Sequence, residues 1–376
     1  MKFIISTQEL NALLSKCLNV IPVKPAIPIL SYILVEAVND ELILTATDLT
    51  VGVRCFTEAK IIEEGSVTLP AKKFAQLVKE LTSTNLEIST TAGGQTEVIA
   101  DSSKFKLNGM SKDEFPALPP LDEAIQIPVN QKQLKEVLYQ TSFAVSREDS
   151  RYVLTGVSLA ITGDTAIFVG TDGKRLSRAH MSLGDNTTAT PVQGHYILPF
   201  KAVEEIQKNL QDDGVAQLYL MADKIALQAG QTMCISKLLT GDYPDVVRVI
   251  PQSPDSVISL HREELMTLLR QITLFTSAES CSVRFTLTPG ELTLSANTKD
   301  VGEGKVSMPA NYQGQKLEIA FNPNYFLDIL RHSKEETIML ALTDSYNPGL
   351  VTEGSMKPEL ATTPLFVLMP MRLTDG

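Results

Sequence analysis

Tryptophan is absent from the 376 residues of the chain, and only 6% of them are aromatic. This scarcity argues against a carbohydrate-binding or aromatic-stacking surface. No apolar run approaches the ~20 residues that a membrane-spanning helix needs. The opening MKFIISTQEL has a single lysine and a short apolar run, too little for a signal peptide. We therefore expect a cytoplasmic location and no membrane partner.

Cysteine and histidine are also scarce, with four residues of each. The positions are Cys17, Cys55, Cys234, Cys281, His180, His195, His261 and His332. No CxxC motif occurs, and a metal site would have to be assembled from remote positions. We therefore expect the cysteines to be small buried hydrophobic residues, with no bound metal and no cofactor.

Motifs of the common enzyme classes are missing: there is no GxxxxGK[ST], GxSxG or HExxH. The segment 302–307 contains part of a GxGxxG motif without its last glycine, and we interpret it as a turn between strands. Asp172 in GTDGKRL could be a catalytic carboxylate, but Asp172 and Gly173 suit a turn better, and Asp48 occupies a matching segment. We expect no catalytic site; a hydrolase that uses Asp172 and His180 is the alternative.

Two helix patterns recur along the chain in the same order. Apolar residues at 10, 13, 14 and 17 lie on one helix face, behind a capping box at Ser6 and Glu9, and similar patterns return at 134–138 and 265–272. The second pattern begins with LPAKKFAQLVKEL and returns as LPFKAVEEIQKNL and FNPNYFLDILRHS. Each of these has a proline near its first turn, where the missing N–H costs nothing. Internal repetition is therefore the main organising feature.

Short alternating segments lie between the helices. ELILTATD, TAIFVGTD and ELTLSANT occupy matching places and are typical of antiparallel strands. The segments FPALPPLDEAIQIPV and IPQSPDSVI separate the copies. We predict an α+β fold with three tandem copies of a domain made of two helices and an antiparallel sheet. The predicted domains are 1–124, 125–254 and 255–376.

Several segments together resemble one family. MKF, PILSYILVEA, GTDGKRL, YPDVVRVIP, AFNPNYFLDIL and VLMPMRL are similar, in order and over the whole chain, to the bacterial DNA sliding clamp, the β subunit of DNA polymerase III holoenzyme. The resemblance implies a head-to-tail homodimer that closes into a ring, with helices lining the hole. It also implies a processivity factor that encircles double-stranded DNA of any sequence, is opened by a clamp loader, and tethers replicative and repair polymerases. A peptide-binding scaffold without DNA encirclement is the alternative.

The resemblance also implies a hydrophobic groove between the second and third domains for peptides rich in Gln, Leu and Phe. The matching positions are Leu154, Thr171, Gly173, Lys174, Arg175, Leu176, Pro244, Arg248, Val249, Asn322, Tyr325, Tyr346, Val367, Met369, Pro370, Met371 and Arg372. We expect Arg175 and Arg248 to meet polar or carboxylate groups of the peptide. Leu154, Leu176 and Val249 would form apolar walls. The methionines can repack around different partners.

The net charge of −11 by itself speaks against nucleic-acid binding. At a screening length of ~8 Å, however, DNA inside a ring would respond to nearby cations more than to remote acids. The DNA-facing positions implied are Lys24, Lys72, Lys73, Lys79, Arg147, Arg151, Tyr152 and Lys201. Glu148 and Val153 are unsuited to a DNA-contacting loop, which makes Lys24 the stronger candidate.

The implied dimer contact joins the first domain of one chain to the third domain of another. Phe105 and Leu107 lie in an alternating segment that suits edge pairing, with Leu274 and Phe275 as apolar partners. The chain also extends past MRL by residues 374–376, including the acidic Asp375, which we expect to alter access to the groove.

Overall fold

The computed structural model describes residues 1–91, 93–148, 150–184, 193–277, 281–354 and 364–372. Its α-helices are α1 (Thr7–Leu18), α2 (Ala71–Glu80), α3 (Gln131–Ser142), α4 (Phe200–Asn209), α5 (Arg262–Thr273) and α6 (Pro323–His332). The helices therefore occur as one pair in each of the three predicted copies.

The strands follow in chain order. The first copy contains β1 (Lys2–Ser6), β2 (Tyr32–Val38), β3 (Glu41–Thr47), β4 (Val51–Glu58), β5 (Lys60–Glu63), β6 (Gly65–Pro70), β7 (Asn85–Thr90), β8 (Gln95–Ala100) and β9 (Ser103–Asn108). The second contains β10 (Ile125–Asn130), β11 (Gly156–Thr162), β12 (Thr165–Thr171), β13 (Arg175–Ser182), β14 (Gln193–Pro199), β15 (Val215–Leu220), β16 (Lys224–Ala229) and β17 (Thr232–Lys237). The third contains β18 (Ser256–His261), β19 (Val283–Thr288), β20 (Glu291–Thr298), β21 (Gly302–Pro309), β22 (Leu317–Phe321), β23 (Thr337–Leu342), β24 (Gly349–Glu353) and β25 (Leu365–Leu368).

All three copies have the same order of elements: a strand, a helix, four strands, a helix and three strands, with β5 as an addition in the first copy. The predicted α+β repeat is confirmed. Its sequence signals act as expected, because the hydroxyl of Ser6 accepts a hydrogen bond from the N–H of Glu9 at 3.3 Å and the apolar face of α1 is buried. At the start of α6, Asn322 caps the helix and Pro323 takes the first helical position.

The strands form antiparallel sheets of five, eight, eight and four strands. One eight-stranded sheet has the order β10-β15-β16-β17-β4-β3-β2-β6, and the other has the order β14-β11-β12-β13-β25-β24-β23-β18. Each takes four strands from one copy and four from the next, joined where β17 pairs with β4 and where β25 pairs with β13. The copies are therefore fused through continuous backbone hydrogen bonding.

The chain separates into two compact units. The first unit is built mainly from Met1–Lys135 and Lys201–Leu238, and the second from Glu136–Gly184, Pro191–Phe200 and Leu239–Gly376. Because each eight-stranded sheet draws on two copies, the unit boundaries do not follow the copies. The domain boundaries expected from the sequence stay predictions.

One prediction about local structure is wrong. The segment 302–307, interpreted as a turn, lies in β21, which pairs along its length with β20. A Cβ atom added to Gly304 would lie 2.7 Å from a ring carbon of Phe275. The glycine is there because the aromatic ring packs directly on the strand backbone.

The cysteines differ in part from expectation. Cys17, Cys55 and Cys234 are buried, as predicted, but Cys281 is partly exposed. Its Sγ accepts a hydrogen bond from the side-chain amide of Asn324 at 3.1 Å. Cys281 therefore belongs to the N-terminal end of α6 and not to the core.

Candidate functional site

The predicted groove residues belong to the second unit, and several of them lie in the turn between β12 and β13. Asp172 Oδ1 accepts hydrogen bonds from the N–H groups of Lys174 and Arg175, each at 2.9 Å. Gly173 takes the left-handed conformation, with φ of 81°. The structural interpretation of Asp172 and Gly173 as turn residues is confirmed.

The C-terminal segment passes beside this turn. β25 pairs with β13, and the N–H of Met369 then donates to the carbonyl of Lys174 at 2.9 Å. Two residues later, the N–H of Met371 donates to the carbonyl of Ala320 in β22 at 2.7 Å. The segment thus links the eight-stranded sheet to the four-stranded sheet within the second unit, and it leaves the side chain of Met369 exposed.

The guanidinium of Arg175 is held by several groups of the chain itself. Its Nε lies 3.1 Å from Asp172 Oδ2, its Nη1 lies 2.7 Å from Asp328 Oδ2, and its Nη2 donates to the carbonyl of Phe143 at 3.0 Å. The guanidinium also lies over the ring of Tyr325, 4.7 Å from its centroid. With 11% of its side chain exposed, Arg175 is thus largely enclosed by partners within the chain.

Two partners of Arg175 were missed by sequence reasoning. Asp328 is 153 residues away along the chain, and Phe143 contributes a backbone carbonyl from just beyond α3. His332 also belongs to this cluster, since its ring stacks on Phe143 with centroids 4.1 Å apart. No spacing rule relates positions so far apart, and only the fold brings them together.

The segment that joins the second and third copies packs on the same sheet. Tyr243 and Val246 pack against a buried cluster that includes Leu176 and Val367. Val249 is exposed, and so is Val247, which sequence reasoning missed although it alternates with Val249. Arg248 is 85% exposed and forms an ion pair with Asp245 at 2.8 Å. This segment therefore presents two valines and a cation to solvent.

Strand register places a further aromatic at this edge. Leu368 pairs with both Arg175 and Gly349, so the loop before Gly349 lies at the same end of the sheet as the turn 171–175 and Met369. This loop carries Tyr346, whose side chain is 87% exposed, and Asp344 Oδ1 holds the loop by accepting from the N–H of Tyr346 at 2.7 Å. An exposed tyrosine on an ordered loop is well suited to contact a partner.

The remaining groove positions divide by burial. Leu154, Leu176 and Val367 are buried, so the expected walls formed by Leu154 and Leu176 are part of the core instead. Solvent reaches Gly173, Lys174, Pro244, Arg248, Val249, Tyr346, Met369 and Arg372, while Thr171 is buried and Asn322, Tyr325, Pro370 and Met371 are partly exposed. Residues 374–376 lie outside the described residues. The accessible part of the site therefore combines apolar side chains with the cations Lys174, Arg248 and Arg372.

Four of the expected DNA-facing lysines of the first unit, Lys24, Lys72, Lys73 and Lys79, have exposed side chains. Lys201 differs, because its Nζ lies 2.5 Å from Asp48 Oδ2 and donates to the carbonyl of Val20 at 3.0 Å. The positive charge of Lys201 is therefore largely neutralised by Asp48. In the second unit Arg147, Arg151, Tyr152 and Glu148 are exposed and Val153 is partly exposed.

The expected dimer residues lie on two sheet edges. β9 ends the five-stranded sheet and carries Phe105, which is 36% exposed, and the partly exposed Leu107. Leu274, at the end of α5, is 74% exposed, whereas Phe275 is partly buried beside β21, the edge strand of the four-stranded sheet. Both pairs of residues therefore lie on or beside an edge strand, β9 or β21, whose outer side is not paired within the described residues.

Neither a candidate metal site nor a helix suited to span a membrane is found among the described residues. No three His, Cys, Asp or Glu side chains come together there in a way that could hold a metal ion. None of the helices in that part of the chain is both long and apolar enough to span a membrane.

Comparisons with known proteins agree with this architecture. Family models described as the N-terminal, central and C-terminal domains of the DNA polymerase III beta subunit match residues 1–119, 128–245 and 247–372. The chain is 51% identical to the beta sliding clamp of Chlamydia pneumoniae, with both chains covered in full, and 29% identical to that of Haemophilus influenzae over 99% of this chain and 100% of the relative. A crystal structure of the DNA polymerase sliding clamp from Pseudomonas aeruginosa matches 99% of this chain and 100% of its own, with a TM-score of 0.92 and 28% identity; one from Bacillus subtilis covers both chains in full, with a TM-score of 0.91 and 26% identity.

The three family models match the chain in order, and the identity to the Chlamydia pneumoniae protein is 51% over the whole length. These two findings identify the family. The chain belongs to the DNA polymerase III beta subunit family, the beta sliding clamps.

Proposed function

We propose that this chain is a DNA polymerase processivity factor, which encircles double-stranded DNA as a head-to-tail homodimer and tethers polymerases through the groove of the second unit. The observation that carries the proposal is the pair of sheet edges, β9 and β21, which within the described residues remain without a partner strand on one side. These two strands are the counterparts of strands that pair elsewhere in the chain.

The equivalence follows from element order. β9 is the last strand of the first copy, as β17 and β25 are of theirs, and β21 occupies the same place as β4 and β13. Because β17 pairs with β4 and β25 pairs with β13, the repeat favours pairing of β9 with β21. Two chains arranged head to tail would form two such junctions, which closes the assembly and leaves neither edge open to aggregation.

Transferring the observed register to this junction gives a specific interface. In β17 and β4, Cys234 pairs with Val53, and the equivalent positions are Phe105 and Gly304. The same register sets Lys106 opposite Glu303, a favourable cross-strand pair. The small Gly304 would leave room for the ring of Phe105 to lie beside Phe275.

A second equivalence supports Leu274 as an anchor. Phe143 directly follows Ser142, the last residue of α3, as Leu274 follows the last residue of α5. The ring of Phe143 lies 6.0 Å from that of Phe366, and Phe366 in β25 corresponds to Phe105 in β9. The highly exposed Leu274 would thus pack on Phe105 of the other chain, as Phe143 packs on Phe366 within this one.

For DNA contact we propose the exposed cations Lys24, Lys72, Lys73, Lys79, Arg147 and Arg151, with Tyr152. Contacts to phosphate carry no sequence information, and a few weak ones allow sliding on DNA. Lys201 would contribute less, since Asp48 neutralises it.

For polymerase tethering we propose the exposed surface formed by Lys174, Arg248, Val249, Tyr346 and Met369. It combines a tyrosine, a valine and a flexible methionine with two cations, which suits short peptides with apolar anchors and polar or acidic flanks. In this role the protein binds its partners and does not catalyse a reaction. A clamp loader opens the ring, and the protein acts in the cytoplasm with the replication machinery.

The test is retention on DNA. The protein is loaded on nicked circular DNA with a clamp loader and ATP, and the circle is then linearised. Persistence on the circle and rapid loss from the linear form are expected, because a topological link ends when the protein can slide off an end. Equal loss from both forms would contradict encirclement and favour a peptide-binding scaffold.

A further inference from the structure

The two eight-stranded sheets repeat not only their strand order but also the backbone of the proposed groove. In the first unit Asp48 Oδ1 accepts from the N–H groups of Thr50 at 2.9 Å and Val51 at 2.7 Å, as Asp172 does in the second unit. The N–H of Lys237 donates to the carbonyl of Thr50 at 2.9 Å, as Met369 does to Lys174. The first unit therefore holds a counterpart of the groove.

A cavity of about 140 Å³ lies at this counterpart. Its lining includes Thr47, Leu49, Gly52, Ile235, Lys237 and the segment 116–119 from the linker between the first and second copies. Most of these groups are apolar, and Lys237 is exposed. The site is thus largely apolar, like the groove of the second unit, but Lys237 stands where that groove has Met369, and Thr50 stands where it has Lys174.

The linker forms one wall of this cavity and packs against β4 beside it. A Cβ atom on Gly52 would lie 2.5 Å from Leu118 Cδ2, so the leucine side chain rests directly on the backbone of β4. The position that corresponds to Gly52 in the second unit is Leu176, because each pairs with the equivalent residue of β17 or β25. Gly52 therefore leaves space for the side chain of Leu118 in the first unit. In the second unit the side chain of Leu176 is at the corresponding position.

The proline content of residues 116–119 favours their binding at this position. The sequence of this segment is Pro-Ala-Leu-Pro, and each proline fixes one backbone angle, which lowers the entropy lost on ordering. A tethered segment also has an effective concentration in the millimolar range, which few free peptides could match.

We propose that the first unit contains a second peptide groove, occupied by the chain's own residues 116–119 with Leu118 as the anchor. When Leu118 is withdrawn, the groove binds short apolar peptides that carry a carboxylate, which Lys237 recognises. The ligand class rests on the proposed peptide groove of the second unit.

The test uses a fluorescein-labelled synthetic peptide, FPALPPLDE, which repeats residues 115–123 and carries two carboxylate side chains. Its binding to the full-length protein is followed by fluorescence anisotropy. Leu118→Ala should bind it at least tenfold more tightly than the wild type, because the competing side chain is gone. Leu121→Ala is the matched control, since Leu121 lies in the same linker but outside the cavity.

Placement of the bound peptide is checked by cross-linking. A photoreactive benzoylphenylalanine replaces the leucine of the probe that corresponds to Leu118, and cross-links are expected at 47–52 or 235–237. Pro119→Gly, which loosens the segment without removing the leucine, should give a smaller gain in affinity and keeps the test open if Leu118→Ala fails to fold.

Two results would overturn the proposal: affinities of both folded variants equal to that of Leu121→Ala, or cross-links confined to the second unit. The proposed groove of the second unit is tested separately. If that proposal is wrong, the wild-type protein will not bind a Gln-, Leu- and Phe-rich peptide.

Discussion

Asp328 Oδ2 lies 2.7 Å from Arg175 Nη1, although the two residues are 153 positions apart in the chain. This ion pair joins α6 of the third copy to the first residue of β13 in the second. Asp172, the carbonyl of Phe143 and the ring of Tyr325 complete the environment of the guanidinium. Arg175, which adjoins Lys174 of the proposed peptide surface, is thus held by groups from the second and third copies.

Replacing Arg175 with alanine is expected to lower the free energy of unfolding by about 2–3 kcal/mol, since two carboxylates and a carbonyl lose their partner. Urea unfolding followed by circular dichroism measures the change. Arg248→Ala is the matched control, because Arg248 has a similar i,i+3 ion pair but is 85% exposed, and it should change stability by less than about 0.5 kcal/mol. Equal effects of the two substitutions would contradict the role of Arg175.

Introducing a charge at Phe105 on the edge strand β9 tests the dimer. Phe105→Lys should raise the dimer dissociation constant by about 30-fold or more, because an interface anchor of this kind contributes about 2 kcal/mol or more. Sedimentation equilibrium measures the change. Ile62→Lys is the control, since Ile62 is 47% exposed on β5, the opposite edge strand of the same sheet. A dimer weakened equally by both substitutions would argue against pairing through β9.

Tyr346→Ala should weaken binding of a Gln-, Leu- and Phe-rich peptide by about tenfold, which corresponds to about 1.4 kcal/mol. The physical reason is loss of a highly exposed aromatic contact on a loop that Asp344 holds in place. Isothermal titration calorimetry gives the affinity. Val215→Ala, at an exposed apolar position of the first unit, should leave the affinity unchanged. Unaltered binding by Tyr346→Ala would remove this loop from the site.

Acid should destabilise the protein through His332. Burial between Tyr139 and Phe143 lowers the pKa of His332 below its usual value of 6.5, so the folded state keeps the ring neutral where the unfolded state protonates it. The unfolded state binds more protons, and stability therefore falls as the pH drops below about 6.5.

The measurement for His332 is the free energy of unfolding between pH 7.5 and 5.5. His332→Phe keeps an aromatic ring in the stack and should show a shallower decline than the wild type. Part of the decline should persist, because burial lowers the pKa of His180 in the same direction. A wild-type slope equal to that of His332→Phe would contradict the assignment.

The thiols should react unequally. Cys281 is partly exposed, whereas Cys17, Cys55 and Cys234 are buried, and burial raises the pKa of Cys234 to about 12. Since the thiolate is the reactive form, a disulfide reagent at neutral pH should modify one thiol quickly in the native protein and four after unfolding. Cys281→Ser should abolish the fast reaction. A fast phase that survives this substitution would place an accessible thiol elsewhere.

Much of the fold was predictable because its signals are local. The apolar face at Leu10, Leu13, Leu14 and Cys17 identifies α1 without reference to any other part of the chain, and the same holds for the alternating strands. Repetition of these local signals predicted the three copies. Asp172 was likewise interpreted correctly as a turn residue, because an aspartate before glycine forms its hydrogen bonds within three residues.

The site was less predictable because its contacts are remote. The sequence placed Arg175 beside the groove, but only the tertiary structure decided that Asp172 and Asp328 already neutralise it and that Leu154 and Leu176 are buried. Gly304 was misinterpreted for the same reason, since the ring that requires a glycine there belongs to α5's C-terminal end. By itself the sequence determined the helices, the strands and their threefold repetition, which depend on neighbours a few residues away. Only the tertiary structure decided which strand edges join and which charged groups remain free, because pairing between sheets and burial of side chains depend on residues far apart in the chain.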